Sequence, residues 1–375
     1  MVEIQEVKTK KQQREFLRFP LKLYRDNPNF VPPLWLDEKK IFDPHYGYYE
    51  TCKAVYYNAY RGSTMVGRIS GILQKQSNEL RQEKRVRFTR FDCINDQEVA
   101  NALFAAVERW AIEQGMDTIC GPLGFSNLER QGLLVEGFDE LSTFEEQYNA
   151  SYYASLIENC GYHKEIDWVE RQLRLPEAHR EKLIRFADKV EKHYHLKDCR
   201  IKDMDTLLKK YGDSFFQLMA DNYSHLYQTV PIDGAARKSL IQNFKLLVNV
   251  KYVSIIVNED DEAVGMAIAF PSIAKALQKS QGRLTPAALF RVLRSARHPR
   301  ILELGLIGVD PAYRKQGAAI VILAKLAKEL EKNPGIEFLE TNLNMETNTE
   351  IQALWDNRFD ARMHKRRRSY IKTLQ

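Results

Sequence analysis

The stretch Arg314-Lys315-Gln316-Gly317-Ala318-Ala319 has the plainest chemical use in this chain. It follows an apolar run, Ile301 to Val309, and opens an apolar-periodic segment, Ile320 to Leu330. A strand, a tight turn of small residues and a helix N-terminus together make a place to hold a phosphate. The turn amides point one way and the helix dipole adds partial positive charge. Gly317 lets the backbone come close to a ligand, and Ala319 keeps the first helical turn small. The same six residues also suit an ordinary strand-to-helix turn with one glycine, so the surrounding elements have to decide between the two.

Those elements read as one α/β unit in the C-terminal half. His195 to Lys202 is a short strand by pattern, followed by helices over Met204–Tyr223 and Gly234–Leu247. Tyr252–Val257 and Ala263–Phe270 form a hairpin across the turn Asn258–Asp261. After an insertion come the strand Ile301–Val309, the helix of the phosphate turn, and a strand over Ile336–Leu343. A helix near Thr349–Trp355 and a strand over Arg368–Ile371 complete the unit.

The N-terminal half repeats this order more faintly. It has a hairpin over Ala54–Ala59 and Met65–Leu73, a strand over Phe88–Cys93, a helix carrying Val99, Leu103, Val107 and Trp110 on one face, and a strand over Thr118–Phe125. Its phosphate turn is missing: Cys93 is followed by Ile-Asn-Asp-Gln-Glu, and Asp92, Asp96 and Glu98 would repel a pyrophosphate. The expected boundary lies near 176–195, which divides the chain into 1–180 and 190–375.

Bulk properties limit the function classes. A length of 375 residues suits two ordinary domains, and a net charge of +6 favours anionic ligands only weakly. Five scattered cysteines show no metal or redox spacing, and the eight histidines show no ligand pattern, so neither a metal nor a disulfide is expected. No run approaches a membrane span and no apolar signal core opens the chain, so a cytoplasmic protein is expected.

With Glu303 to Ala319 laid out, the stretch resembles the acetyl-CoA motif of the GNAT superfamily of N-acetyltransferases, Arg/Gln-x-x-Gly-x-Gly/Ala. Arg314, Gly317 and Ala319 fill its defined positions, and Val309-Asp310-Pro311 and Tyr313 resemble the pattern before the turn. Across most of its length the chain resembles bacterial tandem GNAT-like proteins. The closer resemblance is carried by Asn27–Pro33, Gly121–Asn127, Gly132–Phe138, Tyr148-Asn149 with Tyr152-Tyr153, and Gly282–Pro286. The implied fold class is α/β (α+β), two tandem GNAT-like folds with mixed central sheets flanked by helices. The implied activity is acyl-CoA-dependent N-acyl transfer, with acetyl-CoA or a longer acyl-CoA as co-substrate and a small-molecule or peptide amine as acceptor.

By the same resemblance, the pyrophosphate would sit on Gln316, Gly317, Ala318 and Ala319, with charge from Arg314 and Lys315. The pantetheine would pair with Ile307, Gly308 and Val309. Glu303 would be the general base, unless it is a structural partner of Arg300 or of another strand neighbour. Where the family often has a tyrosine near the sulfur, this chain has Trp355, whose N–H does not give up a proton at neutral pH, which leaves Tyr370 or Tyr313 as the substitutes to consider. Asn342, Asn344 and Asn348 suit pantetheine contact, with Asn348 the binding candidate, and suit turn and cap chemistry equally. The missing tyrosine and the degenerate first copy keep a CoA-sensing or partner-binding module open. A Fem-type aminoacyl-tRNA-dependent transferase also stays open, although no specific nucleic-acid partner is expected.

Three further features need placing. Residues 274–300 hold seven basic residues and no acidic one, interleaved with Leu277, Leu289, Phe290, Val292 and Leu293. This segment could attract the CoA 3′-phosphate, an acidic substrate, a lipid headgroup in a weak membrane-surface contact, or RNA; or it is a pair of surface helices packed on their own domain through the apolar face. His364–Arg368 reads as a solvated edge. Tyr46, Tyr48, Tyr49, Tyr56 and Tyr57 suit either a cleft wall or core packing.

Overall fold

The structure is a computed structural model describing residues 1–374, apart from the side chains at 235, 239 and 243–247. In chain order its strands are β1 (Glu3–Glu6), β2 (Cys52–Arg61), β3 (Thr64–Gln74), β4 (Arg85–Cys93), β5 (Thr118–Gly121), β6 (Leu133–Glu136), β7 (His163–Arg174), β8 (Lys197–Asp198), β9 (Val253–Val257), β10 (Ala263–Pro271), β11 (Ile301–Val309), β12 (Phe338–Thr341), β13 (Asn344–Met345) and β14 (Asp360–Thr373). The helices are α1 (Lys10–Leu23), α2 (Trp35–Glu38), α3 (Lys75–Arg81), α4 (Gln97–Glu113), α5 (Tyr153–Asn159), α6 (Glu177–Tyr194), α7 (Met204–Tyr223), α8 (Gly234–Leu247), α9 (Ala274–Ser280), α10 (Pro286–Arg297), α11 (Ala318–Lys332) and α12 (Thr349–Arg358). Among the described residues no helix is long and apolar enough to cross a membrane.

Packing divides the chain into two units. The first is Met1–Val169 with Ile273–Val292 and His364–Gln375; the second is Glu170–Ser272 with Leu293–Met363. Each unit takes in a strand from the other half of the sequence. In the first, β14 pairs antiparallel with β5, Tyr370 opposite Gly121. In the second, the end of β7 pairs antiparallel with β12, Leu173 opposite Leu339.

Both units share one local plan. A hairpin (β2–β3 or β9–β10) pairs antiparallel with the next strand, which then pairs parallel with its successor. The crossover to that successor is α4 in one unit and α11 in the other. Helix α4 buries Val99, Leu103, Phe104 and Val107 against Phe88 and Phe91. Helix α11 buries Ile320, Leu323, Ala324 and Ala327 with Leu183 and Ala187 of α6. The polar helix expected to open after Pro176 therefore packs within the second unit.

Three expectations change. The strand over His195–Lys202 shrinks to Lys197–Asp198. The last strand is longer than Arg368–Ile371, spanning Asp360–Thr373. The basic run His364–Arg368 is not a solvated edge: His364, Lys365 and Arg367 are buried. Arg368 bonds Asp167 at 2.8 and 3.1 Å, Arg366 reaches Glu136 at 3.1 Å, and Arg367 donates to the Gln147 carbonyl. Those cations are matched by carboxylates and carbonyls of their own unit, so the run offers no free phosphate-binding patch.

The tyrosine cluster is packing. Tyr46, Tyr48 and Tyr49 surround the buried Phe125, with Tyr48 stacked at 5.5 Å, and the Tyr46 hydroxyl donates to Glu129 at 2.7 Å. The motif segments near 27–33 and 282–286, far apart in sequence, meet in the first unit. Gln278 donates to the carbonyls of Pro28 and Phe30, and the Trp35 amide donates to the Gly282 carbonyl.

Candidate functional site

Strand β11 has two different edges. Along one side it pairs with β10 over its whole length, with a bulge between the pairs Ile268–Leu306 and Ala269–Leu304. Gly305 is the extra residue, and a Cβ there would meet the Phe270 ring at 2.7 Å, so only glycine fits. On the other side, parallel pairing with β12 ends at Leu304–Thr341. The edge of Ile307 to Val309 facing away from β10 is then free to bond something other than a strand.

In this structure that edge is met by the last turn of α7. The Tyr223 hydroxyl donates to the Ile307 carbonyl at 2.8 Å and accepts from the Ile307 amide at 3.0 Å. Asn222 Oδ1 accepts from the Val309 amide at 3.2 Å and from Arg314 at 3.2 Å, and the Asn222 amide lies against Gly308. Burial pushes the Tyr223 phenol up to about 12. A thiol ionises near ~8.5, so this phenol is a poor proton donor to a thiolate. Its geometry is that of a latch on the strand edge.

Beyond Val309 the chain makes the turn on which a phosphate is expected. Asp310 caps a short 3-10 helix, Pro311–Gln316, by accepting from the Ala312 amide at 2.8 Å. Gly317 has φ +81° and serves as the N-cap of α11 with no side chain bonded to its amides. An uncapped N-terminus leaves its first amides directed at whatever occupies the turn. Arg314 and Lys315 stand exposed beside it, and Arg314 also donates to the Val309 carbonyl at 3.4 Å.

The equivalent helix of the first unit is closed. Asp96 caps α4, accepting from the amides of Glu98 and Val99, and Arg61 binds both Asp96 and Glu98. A carboxylate already fills the place a phosphate would take. The strand edge there is occupied too: Tyr153 accepts from the Cys93 amide at 2.9 Å and Tyr152 donates to the Cys93 carbonyl at 2.8 Å.

The remaining sequence candidates are dispersed. Glu303 is 4% exposed on β11, in register with Glu340 of β12. Arg300 pairs with Glu337 and not with Glu303. Asn348 caps α12, accepting from the Ile351 amide at 3.2 Å, and Asn344 accepts from the buried Trp355 indole at 2.8 Å. Both act as the cap and turn residues that sequence equally allowed. Tyr313 accepts from Asn258 beside the β9–β10 turn, and Tyr370 belongs to the first unit, donating to Glu158. Asn222 and Tyr223 were missed by sequence reasoning; the only signal was an adjacent polar pair at the end of an amphipathic helix.

Residues 213–359 match the acetyltransferase (GNAT) family. The chain is 27% identical to Protein YghO of Escherichia coli K12, over 96% of this chain and 93% of that one. It is 24% identical to a bacterial ceramide synthase of Caulobacter vibrioides, over 94% and 92% of the two chains. A solved tandem GNAT protein from the clavulanic acid biosynthesis pathway shares the fold, with a TM-score of 0.57 at 13% identity, covering 100% of this chain and 98% of that one.

Proposed function

Because the chain carries an acetyltransferase domain of the GNAT family over residues 213–359, a fold that implies acyl-CoA as co-substrate, we propose that it is an acyl-CoA-dependent N-acyltransferase acting on a long-chain amine. The observation that carries the reading is the uncapped α11 N-terminus beside Arg314 and Lys315. In this reading residues 190–375 supply the thioester site, and residues 1–180 are a second copy without one.

A ceramide is the amide of a fatty acid with a long-chain amino alcohol. The likeness to a ceramide synthase over nearly the whole chain therefore supports a fatty acyl donor and such an amine as acceptor. The amine nitrogen attacks the thioester carbonyl, the C–N bond forms, and the C–S bond breaks. An ammonium acceptor first loses one proton; after attack the nitrogen gives up a second, and the CoA thiolate takes one up, so that amide and free thiol leave with one proton released to solvent through the base. Glu303 takes the proton from the nitrogen, the pyrophosphate lies on residues 316–319, and the pantetheine pairs with Ile307–Val309 once the α7 residues yield that edge.

Calorimetric titration with acetyl-CoA and palmitoyl-CoA tests the donor. Both cations can be reversed together, as Arg314→Glu with Lys315→Glu, and affinity should fall at least ~10-fold while circular dichroism shows the fold intact, although Arg314 gives up its bonds to Asn222 and the Val309 carbonyl. Gly317 is a poorer probe, because its φ of +81° and the Val190 methyls at 3.1 and 3.3 Å from a Cβ would disturb the fold itself. No binding of either thioester would sink the reading. Mass spectrometry with a panel of long-chain and short amines then identifies the amide formed.

Tyr223→Phe gives a second test. The phenol and the pantetheine amide compete for the same two groups of Ile307. Without the hydroxyl the ligand-free protein loses about 1 kcal/mol and thioester affinity rises ~5-fold. Weaker binding in the variant would mean that the hydroxyl helps to hold the ligand.

A further inference from the structure

Helix α10 carries a face that its own fold does not cover. Thr285 caps it, its hydroxyl accepting from the Ala288 amide and its carbonyl accepting from the Leu289 amide. The helix packs inward through Ala288, which is fully buried, and turns outward Leu289, Phe290 and Leu293 at 46%, 68% and 49% exposure. The expectation that this segment packs through its apolar side holds for α9, which buries Ala274, Ala276 and Leu277, and is reversed for α10, where a small residue faces in and the large apolar residues face out.

The spacing makes the outward residues one surface. Leu289, Phe290 and Leu293 stand at i, i+1 and i+4. Arg294 follows Phe290 by four residues and Arg297 follows Leu293 by four, so two of the three exposed apolar side chains have an exposed cation on the next turn. The flanking sequence from 274 to 300 has seven cations and no anion. Such a strip, apolar at its centre with cations beside it, matches the boundary between acyl chains and anionic headgroups. An RNA would leave the leucines and phenylalanine without a partner.

We infer that α10 is an interfacial helix that docks the protein on an anionic lipid surface, with Leu289, Phe290 and Leu293 entering the acyl boundary and Arg294 and Arg297 binding headgroup phosphates. The inference does not need the proposed chemistry, and its test contains neither CoA nor amine. The full chain is sedimented with vesicles of phosphatidylglycerol and phosphatidylcholine, and with vesicles of phosphatidylcholine alone. It should bind the mixed vesicles, lose most binding on pure phosphatidylcholine, and weaken between 50 and 200 mM salt.

Leu289→Ser with Phe290→Ser, and separately Arg294→Glu with Arg297→Glu, should each reduce binding at least ~10-fold. Because all four side chains are exposed, the circular dichroism and melting temperature should stay those of the parent. Failure of the parent to sediment with any vesicle overturns the inference, as does undiminished binding by both variants. A parent dimer that becomes monomeric in the Leu289/Phe290 variant overturns it too, since a second copy would then be what covers the face.

Discussion

Replacing Glu303 by Gln should lower turnover by about 10²–10⁴-fold while leaving thioester affinity unchanged. The amine acceptor is protonated at neutral pH and must lose a proton before it can attack, so the reaction needs an acceptor for that proton near the bound thioester. Glu303 sits on β11 one residue before the parallel ladder with β12 ends, and it is 4% exposed. Glutamine keeps its size and removes only the basic oxygen. A structural role for Glu303 would appear as a lower melting temperature with turnover preserved. A base role appears as lost turnover, a flattened pH profile and an intact fold. Glu340→Gln, at the same register on β12, shows whether the effect belongs to one carboxylate or to the pair. Turnover within a few-fold of the parent in Glu303→Gln would remove Glu303 from the chemistry.

Much of the fold was readable because its signals are local. Helices α7 and α8 and strand β11 have the bounds their patterns predict, since apolar spacing and the cap at Asp203 act within a few residues. The turn between β11 and α11 was readable for the same reason: Asp310, Pro311, Gly317 and Ala318 set their own geometry. What failed depends on partners distant in sequence. Nothing in Arg366-Arg367-Arg368 shows that Asp167 and Glu136 meet these cations, so the run looked solvated. A strand carries no address for its sheet, so the placing of β14 with β5 and of β7 with β12 was not legible. The site suffered likewise. That Asn222 and Tyr223 bond the edge of β11 follows from packing α7 across the sheet, and the sequence shows only a helix ending in polar residues.

Glu38→Gln should destabilise the protein by about 3–5 kcal/mol at pH 7, the usual penalty for leaving one member of a buried ion pair alone. Arg90, in the bulge of β4 with φ +50°, bonds Glu38 at 2.6 Å, and the two side chains are 11% and 13% exposed. Burial alone would push the Glu38 carboxyl up. Arg90, reinforced by Arg68 and Arg130, outweighs that and holds it at about 2. An unfolded glutamate titrates near ~4.3, so the pair's contribution is fully present above that pH and fades as pH falls toward 2. The difference between parent and variant in urea unfolding should therefore be largest at pH 5–7 and shrink steadily below pH 4. A deficit under 1 kcal/mol at pH 7, or one that does not diminish in acid, would show that the pair is not what holds Arg90 in its left-handed conformation. If the deficit does follow pH in this way, the bulge of β4 depends on a charge supplied by α2. In the second unit a glycine, Gly305, makes the corresponding bulge without such help.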